Sequence, residues 1–129
     1  MKDLIIRTNN LWYTDDVCRS KKRLELIRQK EGTKQLPPII LGYCLFEYKG
    51  IKREYIIIDG NQRAFVDNEN SGYSKARLIE NDDDLRIILK ELDKDHGLVK
   101  KKRKKLNKVI EGYKKWLPIQ YNKGKLRIY

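Results

Sequence analysis

Apolar residues recur in this chain with two periods, one suited to strands and one to helices, and their order lays out a mixed fold. Leu4, Ile5 and Ile6 predict a first strand ending near Asn9-Asn10. Thr14 then stands as the cap of a helix with Asp15 and Asp16 in its first turn and Lys21, Lys22, Arg23 and Arg28 further on, the charge order that a helix dipole favours. Val17, Leu24 and Ile27, helped by Leu26, form its apolar side, and Gly32 closes it. Pro37-Pro38 imposes extended geometry just before Ile39, Ile40 and Leu41, a strand that continues through Tyr43, Leu45 and Tyr48. Lys49-Gly50 forms the turn of an antiparallel hairpin whose returning strand ends at Asp59.

The pattern is sharpest between residues 51 and 66. Ile56, Ile57 and Ile58 are consecutive β-branched residues, which predicts a strand buried on both faces, and Asp59-Gly60 supplies an abrupt exit. Asn61 is the expected cap of a short helix that begins at Gln62 and returns Ala64, Phe65 and Val66 to the core. Arg63 in the first helical turn opposes the helix dipole, whereas the unpaired amides of that turn attract anions, so a bound phosphate would remove the conflict. Residues 67–74 read as a connection, with Tyr73 covering one edge of the core, and residues 76–79 as a fourth strand. Asn81 followed by Asp82, Asp83 and Asp84 starts another helix, with Leu85, Ile88, Leu89 and Leu92 on its buried face and Gly97 at its end. Successive helical residues point in different directions, so the three aspartates serve the helix start and do not converge on magnesium.

Beyond residue 98 the chemistry changes. Lys100, Lys101, Lys102, Arg103, Lys104 and Lys105 are six successive basic residues, and Lys108, Lys114 and Lys115 extend the positive surface. Leu106, Val109, Ile110, Tyr113, Trp116 and Leu117 have the spacing of an amphipathic helix that docks on the domain or on a second copy, and Pro118 is its expected end. The remaining residues alternate around a Gly124 turn and predict a terminal hairpin. The fold class is therefore α+β, a small mixed sheet with packed helices. Residues 1–97 form the core domain, and residues 98–129 a basic helix and hairpin packed on that core or on a partner subunit.

A chain of 129 residues supports one sizeable core. Thirty Lys plus Arg against 18 Asp plus Glu give a net charge of +12, which favours a polyanionic partner, DNA ahead of RNA. No stretch has the apolar length of a membrane span and no secretory block follows Met1, which points to the cytoplasm without transmembrane association. Cys18 and Cys44 are too few for a disulfide framework, and with His96 as the only histidine neither zinc nor haem is expected.

The succession of strand, helix, Leu36-Pro37-Pro38-Ile39-Ile40, hairpin, Tyr55-Ile56-Ile57-Ile58-Asp59-Gly60-Asn61-Gln62-Arg63, short helix and Ala76-Arg77-Leu78-Ile79-Glu80 resembles the N-terminal domain shared by ParB partition proteins, sulfiredoxins and free serine kinases. The resemblance covers roughly residues 3 to 96 and implies a ParB/sulfiredoxin-like core, in a protein of plasmid or viral type. Residues 59–63 stand where those families carry a phosphate loop, so Gly60, Asn61, Gln62 and Arg63 are implied phosphate-binding residues. Asn61 occupies the place of the sulfiredoxin nucleophilic Cys, and Gln62 that of a kinase histidine or a second ParB arginine, which removes two chemistries and weakens the third. Too few residues follow His96 for the ParB helix-turn-helix domain.

Three functions follow as expectations. The first is a phosphate- and nucleic-acid-binding ParB-like protein without a helix-turn-helix, dimeric if the C-terminal helix pairs two copies, using Lys100 to Lys105 and Lys108 on DNA and accepting a nucleoside triphosphate at Arg63. The second is a metal-dependent nuclease or nucleotide hydrolase, in which Asp59 holds Mg or Mn and Glu80, across the sheet edge, assists catalysis. The third is a non-enzymatic structural or host-interaction adaptor. Trp12, Tyr13, Tyr43, Tyr55 and Tyr113 are candidate base-stacking rings wherever they lie exposed beside a basic face.

Overall fold

The three consecutive isoleucines at residues 56–58 divide their side chains between two helical layers, and the architecture follows from that division. A computed structural model describes residues 1–30, 36–92 and 105–129. Its strands are β1 (Lys2–Arg7), β2 (Leu11–Trp12), β3 (Ile39–Tyr48), β4 (Ile51–Asp59) and β5 (Tyr73–Ile79). Its described helices are α1 (Lys21–Lys30), α2 (Asn61–Asn70), α3 (Asp82–Glu91) and α4 (Leu106–Asn122). The sheet has the order β1-β5-β3-β4-β2, with β1 antiparallel to β5, β5 parallel to β3, β3 antiparallel to β4 and β4 parallel to β2. This is a mixed α+β fold. Ile57 joins Ile39, Leu41, Ala64 and Ala76 under α2, whereas Ile56 and Ile58 join Cys44, Leu85, Ile88, Val109 and Leu117 under α3 and α4. Both faces of β4 are thus buried, as its unbroken apolar run requires.

Local chemistry sets the element ends. Lys49 and Gly50 both take positive φ, 49° and 81°, the backbone twist that a two-residue hairpin between β3 and β4 demands. Asn81 caps α3 by accepting the Asp84 amide at 2.8 Å. Asp82, at the start of α3, accepts the Leu106 amide at 2.7 Å and so fixes the start of α4.

Several element boundaries depart from expectation, among them the start of β5, which begins at Tyr73 and not at residue 76. α1 begins at Lys21 after Ser20, whose hydroxyl accepts the Arg23 amide, and not after Thr14. Asp16 accepts the Cys18 amide at 2.9 Å, which keeps residues 14–20 in a loop, and Val17 is buried from that loop. α2 includes Asn61 and extends to Asn70, with Gly60 as its cap at φ 101°. α4 continues through Pro118 to Asn122, and the expected terminal hairpin is absent among the described residues. Tyr121 is the reason it stays helical: from that last turn its ring reaches Trp12 and its hydroxyl donates to the Tyr13 carbonyl at 3.2 Å. The expected helix ends at Gly32 and Gly97, and His96, lie outside the described residues.

Past α4 the chain turns at Gly124, buries Leu126 and lays Tyr129 between Tyr13 and Phe65, at 4.9 Å from each ring. Arg53 of β4 holds this segment. Only 7% exposed, its guanidinium donates to the main-chain oxygens of Leu11 at 2.7 Å and Tyr129 at 2.6 Å, and sits 5.1 Å from the Trp12 ring. Burial lowers its pKa, and no Asp or Glu side chain pairs with it among the described residues. Two main-chain oxygens and a ring face hold it in place of an acidic side chain.

The two thiols occupy opposite environments. Cys44 is buried in the α3/α4 layer and burial pushes its pKa up to about 11, whereas Cys18 is exposed in the loop before α1. In the native protein iodoacetamide is expected to label Cys18 and to reach Cys44 only after unfolding, with mass spectrometry giving one adduct before denaturant and two after. Equal labelling of both thiols in native buffer would contradict the packing of this layer.

Candidate functional site

The turn from β4 into α2 is built around Gly60. A Cβ there would stand 2.7 Å from Ile39 Cγ2 and 2.8 Å from Arg63 Nη2, so glycine is required by space as well as by its φ of 101°. No side chain caps the first turn of α2. The three polar residues that follow Gly60 are nevertheless committed to the protein itself. Asn61 accepts the Thr14 amide at 2.8 Å and donates to the Thr14 hydroxyl at 3.1 Å, while that hydroxyl donates to the Ile57 carbonyl. Gln62 donates from Nε2 to the carbonyls of Val17 at 3.0 Å and Ser20 at 3.2 Å. Both side chains therefore fasten the 14–20 loop across the end of β4.

Arg63 is also engaged within the chain, through one terminal nitrogen, while its buried Nε has no hydrogen-bond partner among the described residues. Its Nη2 lies 3.0 Å from Asp59 Oδ2 and donates weakly to the Pro38 carbonyl at 3.5 Å. The pair is mostly withdrawn from water, with the Arg63 side chain 13% and the Asp59 side chain 24% exposed. Asp59 thus supplies from within the chain the negative charge that an arginine at a helix N-terminus requires. On the other side, one helical turn on, Asp67 is a half-buried carboxyl whose pKa is raised by burial and lowered in part by the Ser74 hydroxyl and by Arg63. Residues 59, 63 and 67 fall at spacings of four, and the fold sets Arg63 between the two carboxyls.

The other expected residues do not join this cluster. Asp59 and Arg77 both pair with Ile40 of β3, from its two sides, and Glu80 lies three residues past Arg77. Glu80 is therefore displaced from Asp59 by roughly 10 Å along the strands and two strand spacings across them. It is exposed, and its amide donates to Asp84 Oδ2 at 2.9 Å. The two carboxylates cannot share a metal ion, and the described residues contain no group of three or more His, Cys, Asp or Glu able to hold one. Asp59 meets Arg63 through Oδ2.

Of the expected nucleic-acid residues, Lys105 and Lys108 are described and exposed, while Lys100, Lys101, Lys102, Arg103 and Lys104 lie outside the described residues. Lys108 and Lys115 occupy the side of α4 opposite Val109, Tyr113 and Leu117, facing solvent. Trp12, Tyr13 and Tyr113 are core rings and cannot stack on a base. Tyr43 is half exposed and meets Tyr55 edge to face at 5.7 Å. Tyr73, expected as a cover for the core, is instead exposed. Arg53 escaped the sequence reading, although its alternation with Tyr55 and Ile57 along β4 marks an inward-facing position. No helix among the described residues is long and apolar enough to cross a membrane. No protein-family model matches the chain, and no curated protein matches it either.

Two measurements check this arrangement. In a double-mutant cycle, Asp59→Asn and Arg63→Met are expected to show a coupling of about 1–2 kcal/mol in urea unfolding, and strictly additive losses would mean that Arg63 is free for an outside anion. The raised pKa of Asp67 means that the folded state holds its proton more tightly than the unfolded state does. The stability it contributes is fully present below the unfolded carboxyl pKa and is lost as pH rises through the folded value. Asp67→Asn should therefore flatten the fall in the urea midpoint from the ordinary carboxylate range upward. An unchanged slope would remove Asp67 as its source.

Proposed function

We propose that this chain is a non-catalytic nucleic-acid-binding protein with a ParB-like arrangement of elements, its phosphate contacts made by surface lysines and not by the turn before α2. The observation that carries the reading is the charge balance. Even if all 18 acidic side chains were neutralised by basic ones, a formal excess of twelve cations would remain. Several of the described carboxylates are already engaged: Asp15, Glu69, Asp59, Asp83 and Glu111 each meet a cation of the chain itself. The surplus positive charge therefore seeks anions outside the molecule, and a polyphosphate backbone returns the largest gain through release of its counterions. The exposed lysines of α4 continue the basic run of residues 100–105, which makes this the principal contact with DNA. Asn61, Gln62 and Arg63 keep the fold that presents those lysines, a supporting role that agrees with their internal partners.

The test is a salt titration of binding to labelled DNA duplexes of several sequences. Lys108→Ala with Lys115→Ala is expected to weaken binding equally for every sequence and to lower the slope of log affinity against log salt by about one for each phosphate that is no longer neutralised. Replacing Lys101, Lys102, Lys104 and Lys105 should have a larger effect of the same kind. Absence of binding at low salt by the unaltered protein would overturn the proposal, and cleavage of the DNA in the presence of magnesium that Asp59→Ala abolishes would replace it with the enzymatic reading.

A further inference from the structure

The helices of the second layer stop short of one part of the sheet. α3 and α4 cover Ile40, Cys44, Ile56, Ile58 and Ile79, yet on that same face β1 and β5 lie open. Their inward residues, Leu4, Ile6, Ser74 and Ala76, are buried or half-buried toward α2. The outward ones face each other across the antiparallel ladder as Asp3 with Arg77, Ile5 with Lys75 and Arg7 with Tyr73. Ile5 is 74% exposed and Tyr73 47% exposed. Three cations share this surface with one carboxylate, and that carboxylate, itself 83% exposed, reaches Arg77 only at 3.4 Å. The Arg7 guanidinium stands 5.7 Å from the centre of the Tyr73 ring. A flat sheet face thus presents an aromatic ring braced by a cation, beside further cations at every second residue.

We propose that the open face of β1 and β5 binds single-stranded nucleic acid, with Tyr73 stacking on a base and Arg7, Lys75 and Arg77 meeting the phosphates. The inference rests on the nucleic-acid reading above and adds the strand state and the residues. Charge complementarity selects a polyanion, and the exposed ring selects one whose bases are unpaired, because a base inside a duplex offers no free face to a tyrosine. Tyr73, Lys75 and Arg77 recur about 7 Å apart along β5, which lets an extended strand lay successive phosphates along the row. Stacking tolerates any base, so the face has weak sequence preference and a strong dependence on salt.

Fluorescence anisotropy with labelled oligothymidylate, oligouridylate and a duplex of the same length tests it on the full chain. Tyr73→Ala should weaken single-strand binding about ten-fold and leave the duplex unaffected, Tyr73→Phe should retain single-strand affinity, and Arg7→Ala with Lys75→Ala should reduce the salt slope by one to two. Thymidylate and uridylate arms distinguish DNA from RNA as the natural source. All three variants are at exposed positions, and an unchanged urea midpoint verifies their fold. If the unaltered protein binds single strands and all three variants bind as well, this face is excluded while the α4 reading stands. If Lys108→Ala with Lys115→Ala alone abolishes single-strand binding, the face is likewise excluded. Failure of the unaltered protein to bind any of the three probes overturns both proposals. A shift in sedimentation on altering Tyr73 or Lys75 would assign the face to a second copy and overturn the inference.

Discussion

A strand buried on both sides must be covered on both sides, and β4 imposes that condition on everything around it. Ile57 can leave water only if α2 lies on one face, and Ile56 and Ile58 only if α3 and α4 lie on the other. Each of these side chains contributes about 1.5–3 kcal/mol when withdrawn from water. The longest of the described helices, α4, accordingly lies on the far face. The polar turn at the end of β4 then has structural obligations, because the loop that crosses it, residues 14–20, carries backbone groups that need partners. Asn61 and Gln62 provide them. The polar turn thus acts as a fastening.

The elements that depend on nearby residues are readable from the chain, and those that depend on distant ones are not. The β3–β4 hairpin needs only Pro37-Pro38, Lys49-Gly50 and an apolar run, and the start of α3 needs only Asn81 and the acids after it. Thr14 and Ser20 are both good helix caps, and the choice between them is made by β4 and α2, which take the Thr14 hydroxyl and amide. Alternation in residues 119–129 suits a hairpin, but Trp12 and Tyr13 draw Tyr121 and Tyr129 into helix and tail. At the candidate site, the electrostatic conflict at Arg63 is visible in the sequence. Its resolution is visible only in the ion pair with Asp59, since four-residue spacing becomes proximity only once α2 continues directly from the strand end.

Charge follows the same division of roles. Carboxylates are placed where the fold needs them, at the start of α3, beside Arg63 and between α1 and α2, where Glu69 receives Arg28 through two hydrogen bonds. Cations in excess of those needs lie outward. The separation explains how a protein with a net charge of +12 avoids placing that repulsion inside its core, where the buried arginine of β4 is held by main-chain oxygens.

That arginine also governs the order in which the molecule can be finished. Leu11, Arg53 and Tyr129 come from three distant parts of the chain and meet at one guanidinium. During synthesis, β1, β2 and the hairpin emerge long before the residues that cover Trp12 and Tyr13. Until Tyr121 and Tyr129 arrive, those rings and the Arg53 charge have no complete surroundings, and the β2 edge stays open. The sheet's hairpin is local, but Trp12 and Tyr13 gain their aromatic partners only from the last elements of the chain.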